Sequence, residues 1–158
     1  MKILVRGTNW IGDTVMTVPA LTELRRAFPD AHITLHARPV AAEVLADSGL
    51  VDEILTIDGR SKAGSIFSQT RQVRNDKFDI GITLTNSPES AAVQWLARVP
   101  VRFGYATQRR SKFLTDPVDV PERKSERHEV YYYLNLIEAV PPRSCGADGA
   151  AGTDPELA

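Results

Sequence analysis

The stretch KILVRGTNWIGDT, residues 2–14, decides how the rest of the chain is read. KILVR is a short, β-rich apolar run of the kind that forms a buried strand. From about Asp13 to Phe28 the residues Val15, Val18, Leu21, Leu24 and Phe28 recur at spacings of three or four, which predicts a helix. Between them lies a loop with Gly7 and Gly12 in the spacing G-x-x-x-x-G. Strand, glycine loop and helix in that order open a βαβ unit.

The same rhythm continues along the chain. Pro19 falls in the second turn of the predicted helix, where it removes a backbone donor and bends the axis, and Pro29-Asp30 ends it. HITLHAR (32–38) alternates and predicts a second strand. VAAEVLADSGL (40–50) is a short helix closed by Gly49 at C′. VDEILTIDG (51–59) is a third strand, 64–77 a polar helix, and FDIGITL (78–84) a central fourth strand. SPESAAVQWLARV (87–99) is a helix with Ser87 as N-cap and Ser90 at N3. VRFGY (101–105) and HEVYYYLNLIEAV (128–140) complete the series as strand and helix. Strands alternating with helices predict a parallel sheet in a three-layer, doubly wound, Rossmann-like α/β domain over residues 1–140. The Pro/Gly/Ala-rich segment 141–158 reads as a linker or disordered tail.

The bulk properties bound the function. A chain of 158 residues, 42% hydrophobic and 25% charged, suits one globular domain. A net charge of −1 gives no basic field for nucleic acid. The single Cys145 leaves no internal disulfide and no cysteine-based zinc site, and fits a reducing compartment. No apolar run approaches the ~20 residues that span a bilayer. MKILVRG does not read as a secretory signal, so the chain reads as cytoplasmic.

In an open α/β sheet the first βα loop lies at the ligand-binding edge. A phosphate-binding loop of this spacing has Lys after its second glycine, and here that position is Asp13, whose charge would repel phosphate. The dinucleotide fingerprint G-x-G-x-x-G is not met either. Asp13 can be an N-cap that accepts from the first-turn amides, or a general base that takes a proton from a hydroxyl nucleophile, and the two roles can coexist.

NWIGDTVMTVPAL (9–21) after the KILVRG strand resembles the opening of the bacterial lipopolysaccharide heptosyltransferases, the ADP-heptose-dependent glycosyltransferase family 9. The loop Asn9-Trp10-Ile11-Gly12-Asp13 is similar to that of the second-type members. FDIGITLTNSPESAAVQWLARVPVRFGY (78–105) and the late helix HEVYYYLNLIEAV are similar to further family segments. The resemblance covers residues 1 to about 140. It implies the N-terminal, acceptor-binding half of a GT-B fold, with the C-terminal donor-binding domain absent. It implies inverting transfer of heptose from ADP-heptose to the lipopolysaccharide inner core, with Asp13 as the base and no metal or cofactor. A chain without the donor half is then expected to be inactive alone. The alternative is a non-catalytic Rossmann-like module that binds a polar or anionic ligand.

With Asp13, the candidate substrate-binding residues are Asn9, Trp10, Gly12, Thr14, Asn86, Ser87, Arg109, Arg110 and Lys112. Asn86-Ser87 follows the fourth strand, at the same sheet edge as Asp13. The pair can hydrogen-bond acceptor sugars, or Ser87 can cap the next helix with Pro88 at N1. Glu89 and Ser90 are further candidates. From Arg98 to Thr115 there are five cations and no acid, suited to the anionic groups of a lipopolysaccharide core or to peripheral contact with the inner membrane, and equally to a solvated loop. Trp10 can stack on a sugar or pack on the core. His32, His36 and His128 are scattered, and His32 and His36 share one strand face as surface or core residues rather than ligands. Tyr131, Tyr132 and Tyr133 cannot share one helical face, so at least one is exposed.

Overall fold

A computed structural model describes residues 1–57, 62–122 and 128–141. The proposed tail 141–158 therefore lies almost wholly outside the described residues, as do Cys145 and the end of the predicted third strand.

Six strands form one parallel sheet: β1 (Lys2–Arg6), β2 (His32–Ala37), β3 (Glu53–Thr56), β4 (Ile80–Thr83), β5 (Val101–Tyr105) and β6 (Asp116–Val118). Their spatial order is β3-β2-β1-β4-β5-β6. Five helices join them: α1 (Ile11–Ala27), α2 (Pro39–Leu45), α3 (Lys62–Asp76), α4 (Pro88–Leu96) and α5 (Glu129–Glu138), with a 3₁₀ turn at Arg110–Phe113. The doubly wound α/β architecture expected from the sequence is present. The order reverses between β1 and β4, which makes the carboxyl ends of those two strands the switch point where ligands bind in such sheets.

The two faces of the sheet differ in chemistry. Ile3, Val5, Ile33, Leu35, Ile80, Ile82, Phe103 and Tyr105 pack with α1, α2 and α5 into one apolar core. The alternate positions give a smaller apolar cluster around Leu4, Val73, Phe78 and Val93 against α3 and α4. The polar residues Arg6, Thr34, His36, Thr83, Gln69, Ser90 and Gln94 are also buried. The alternation in HITLHAR is thus real, yet its polar face is covered by helices rather than by water.

Boundaries differ from expectation where local chemistry intervenes. α1 starts two residues earlier, at Ile11, so Pro19 lies mid-helix rather than in the second turn. α2 ends at Leu45 with Ala46 as C-cap, and Gly49, at φ +70, serves the following turn instead of the cap. β6 was not expected. Its Pro117 reads as a breaker, but Pro is tolerated on an edge strand, and β6 pairs only with β5.

His36 is buried on β2 beside Arg6, with Nε2 unpartnered. Burial first, and then the Arg6 guanidinium, pull its pKa from 6.5 to about 3, against a hydrogen bond to Gln72 that favours the protonated ring. A histidine held neutral when folded adds stability above its unfolded pKa, and that stability is lost as pH falls from about 6.5 toward 3. Between pH 7 and pH 5 the native chain should lose about 2 kcal/mol more than His36→Gln, read from urea melts at both pH values. Equal losses would show that the imidazole is not held neutral.

Candidate functional site at the carboxyl edge of the sheet

Two loops flank the switch point. The first, Gly7–Trp10, leaves β1, and its shape is set by short-range bonds. Gly7 has a packing reason, since a Cβ there would sit 3.1 Å from Ala37 Cβ and Leu35 Cδ1. Thr8 and Thr14 share a hydroxyl–hydroxyl bond of 2.9 Å, and Thr14 Oγ1 also donates to the Trp10 carbonyl. Thr14 is buried and spends its hydroxyl inside the loop, which corrects its expected contact with substrate. Gly12 has open space where a Cβ would go.

Asp13 does not cap α1. Trp10 occupies the N-cap with no side-chain bond, and Asp13 sits in the first turn, where the helix dipole favours an anion. The N-cap reading is therefore not met: Asp13 is half-buried, and among the described residues no ion pair engages it. Its charge reaches Tyr133 on α5, whose phenol is pushed up by burial first and by Asp13 second. Asn9 is exposed, and Trp10 is 74% exposed. The indole is free to stack on a ligand and takes no part in the core.

The second loop, Leu84–Ser87, leaves β4. Ser87 is the N-cap of α4 and Pro88 follows at N1, as expected, but the Ser87 hydroxyl makes no capping bond. Asn86 Oδ1 accepts from Tyr132 Oη at 2.8 Å and from Thr107 Oγ1 at 3.4 Å. Ser90, in the first turn of α4, accepts from Arg6 Nε at 3.3 Å. Burial lowers Arg6 to about 10, opposed by Glu89 and reinforced by Arg38. The two βα loops are thus backed by α5 tyrosines on one side of the sheet and by Arg6 on the other.

The basic stretch is only partly at the surface. Arg109 and Lys112 are exposed, whereas Arg110 is fully buried. Arg110 Nε donates to the Tyr105 carbonyl at 2.7 Å, and Nη1 donates to the Thr85 carbonyl. Gln108 and Arg109 adopt the left-handed backbone conformation, which turns the chain so that Arg110 enters the interior. Arg110 is thereby corrected from a ligand-facing cation to a clamp that ties the ends of β4 and β5. His32 lies 3.1 Å from Glu53, and His36 is core, as weighed above. Of the three tyrosines, Tyr131 is exposed while Tyr132 and Tyr133 are buried.

Sequence reasoning missed Tyr132, Tyr133 and Arg6 as parts of this region. Arg6 reads as a strand end, and its burial depends on α4. The tyrosines reach the loops only through the return of α5 beside α1 and β5.

A model of glycosyltransferase family 9 (heptosyltransferase) matches residues 66–154. The chain is 29% identical over 119 residues to lipooligosaccharide heptosyltransferase 2 of Haemophilus ducreyi and, equally, to lipopolysaccharide heptosyltransferase 2 of Escherichia coli. Each match covers 73% of this chain and 34% of the relative. The solved E. coli ADP-heptose lipopolysaccharide heptosyltransferase II superposes with a TM-score of 0.74 at 23% identity, over 94% of this chain and 47% of that one. A glycosyltransferase family 9 structure from Veillonella parvula gives 0.78 at 25% identity, over 90% and 41%. The chain thus spans about a third of the length of the curated relatives and under half of these two solved chains.

The contrast between neighbouring arginines is testable. Arg110→Met removes both bonds, leaves the Thr85 carbonyl without the guanidinium while Tyr105 keeps the Thr107 amide, and should cost about 3 kcal/mol. Arg109→Met should stay within about 0.5 kcal/mol of the parent. Urea denaturation of both variants checks this, and equal effects would refute the clamp.

Proposed function

Because the chain belongs to glycosyltransferase family 9, the heptosyltransferase family, we propose that it forms the acceptor-side half of an inverting glycosyltransferase that moves heptose from ADP-heptose to a lipopolysaccharide core. The observation that carries this is Asp13: a half-exposed carboxylate with no ion-pair partner among the described residues, in the first turn of α1, at the switch point of a doubly wound sheet. The names of the relatives supply the sugar and the acceptor class.

The chemistry follows from a single displacement at the anomeric carbon. The acceptor hydroxyl attacks as Asp13 takes its proton, the bond to the diphosphate breaks, and configuration inverts. Asn86, fixed by Tyr132 and Thr107, and the exposed Asn9 and Trp10 would hold the acceptor sugar between the two loops. Arg109 and Lys112 would meet its anionic groups. Donor recognition and stabilisation of the leaving ADP are assigned to the part of the relatives that this chain does not span. On this basis residues 1–158 alone have no transferase activity, the reaction calls for no metal or redox cofactor, and the protein works on the cytoplasmic side.

The test is Asp13→Asn in a protein of the relatives' full length. Turnover should fall by about 10²–10⁴ with acceptor affinity changed less than about threefold. Unchanged turnover would reduce the domain to a binding module for a polar or anionic ligand.

A further inference from the structure

Three side chains form a buried row beneath the switch point. Arg6, His36 and Thr83 are in-register neighbours at the carboxyl ends of β1, β2 and β4, on strands about 4.8 Å apart. They lie on the α3/α4 side of the sheet and are 6%, 1% and 0% exposed. Each keeps a polar atom without a partner: Arg6 Nη1, His36 Nε2 and Thr83 Oγ1. The hydroxyl of buried Thr85, just past the end of β4, is unpartnered as well. α4 begins against this row. Arg6 Nε donates to Ser90 Oγ in its first turn at 3.3 Å, and the Ser87 hydroxyl at its N-cap makes no capping bond.

Deeper in the same layer Thr34 and Gln94 also keep unpartnered atoms, but they are neutral and water can satisfy them. Arg6 differs because it brings a charge. Among the described residues no carboxylate stands within ion-pair distance of it. A guanidinium withdrawn from water needs both an opposite charge and acceptors for its N–H groups. Half-buried Glu89 acts on it from a distance, and exposed Arg38 acts with the opposite sign. Asp13, on α1 across the sheet, is not among the charges that act on Arg6.

We propose that this row is a binding site for a single oxyanion group, a phosphate or a carboxylate. The Arg6 guanidinium supplies the charge and planar N–H donors. The first-turn amides of α4 and the Thr83 and Thr85 hydroxyls supply further donors. The neutral His36 ring, as its Nε2–H tautomer, adds one more without adding charge. The assignment does not rest on heptose transfer, and its failure would leave the role of Asp13 untouched.

Calorimetric titration of the 158-residue chain with inorganic phosphate, and separately with acetate, tests this without any transfer reaction. Saturable binding of one equivalent is expected, and the tighter ion identifies the group as phosphate or carboxylate. Phosphate at about ten times its Kd should raise the melting temperature by about 4 °C over chloride at equal ionic strength. In NMR spectra the His36 ring signals should move with phosphate, while those of His32, at the amino end of the same strand, stay fixed. Thr83→Val, nearly isosteric, should weaken binding about tenfold at unchanged melting temperature of the free chain. Arg6→Lys, which keeps the charge and loses the fork, should weaken it by a similar factor. Glu89→Gln should tighten it about threefold, and Arg26→Gln, an exposed cation on the last turn of α1, should leave it unaltered. No saturable binding of either ion overturns the inference; destabilisation by Glu89→Gln would then name Glu89 as the counter-charge of Arg6. Binding that survives Thr83→Val and leaves the His36 signals in place would be attraction to surface cations, and overturns it too.

Discussion

The amide of Leu84 donates to the carbonyl of Arg6, and the amide of Gly7 donates to the carbonyl of His36, each at 3.0 Å. The last peptide of β1 is therefore tied to both neighbouring strands at once. Just beyond it the chain must leave the sheet, with α1 packing on one face, while the chain leaving β4 enters α4 on the other. Two loops diverge from one pinned point, and the crevice between them is a consequence of topology. What the sequence adds is the filling of that crevice: Thr8 and Thr14 brace the first loop from within, and Tyr132 and Thr107 fix Asn86 in the second.

The same constraint explains the polar layer beneath α3 and α4. A strand at the centre of a doubly wound sheet is buried on both faces, so its polar alternate positions cannot reach bulk water. Arg6, Thr34, His36 and Thr83 share this face, and each keeps a side-chain atom without a protein partner. A polar interior of this kind costs stability unless its groups are satisfied. The fold accepts that cost next to the site, while the opposite face, packed by α1, α2 and α5, supplies the apolar core.

Much of this was legible in the sequence, and the failures have physical causes. KILVR, HITLHA and FDIGIT are strong strand signals because each is short, β-rich and bounded by turn residues. The order of strands and helices then fixes the class of fold. The loop–helix boundary at Asp13 was displaced because carboxylates are favoured both at the N-cap and in the first turn, and only the backbone of Trp10 distinguishes the two. Arg109 and Arg110 are identical in type and adjacent. That one is exposed and the other fully buried depends on two left-handed residues that no periodicity announces. β6 was hidden by its proline. The tyrosines of α5 could be counted but not placed, because the bond from Tyr132 to Asn86 closes over 46 residues of chain.

The distribution of charge gives the site its direction. Asp13 lies at the N-terminal end of α1 and Asn86-Ser87 at that of α4, so two helix dipoles point their positive ends into the crevice. The buried guanidinium of Arg6 adds to the same field from below, tempered by Glu89. Such a field can draw in a ligand that carries anionic groups. It does not by itself cradle the two phosphates of a departing nucleotide, because the loop that would do so has Asp13 in the place of the lysine. The acceptor-side role proposed above accords with that arrangement.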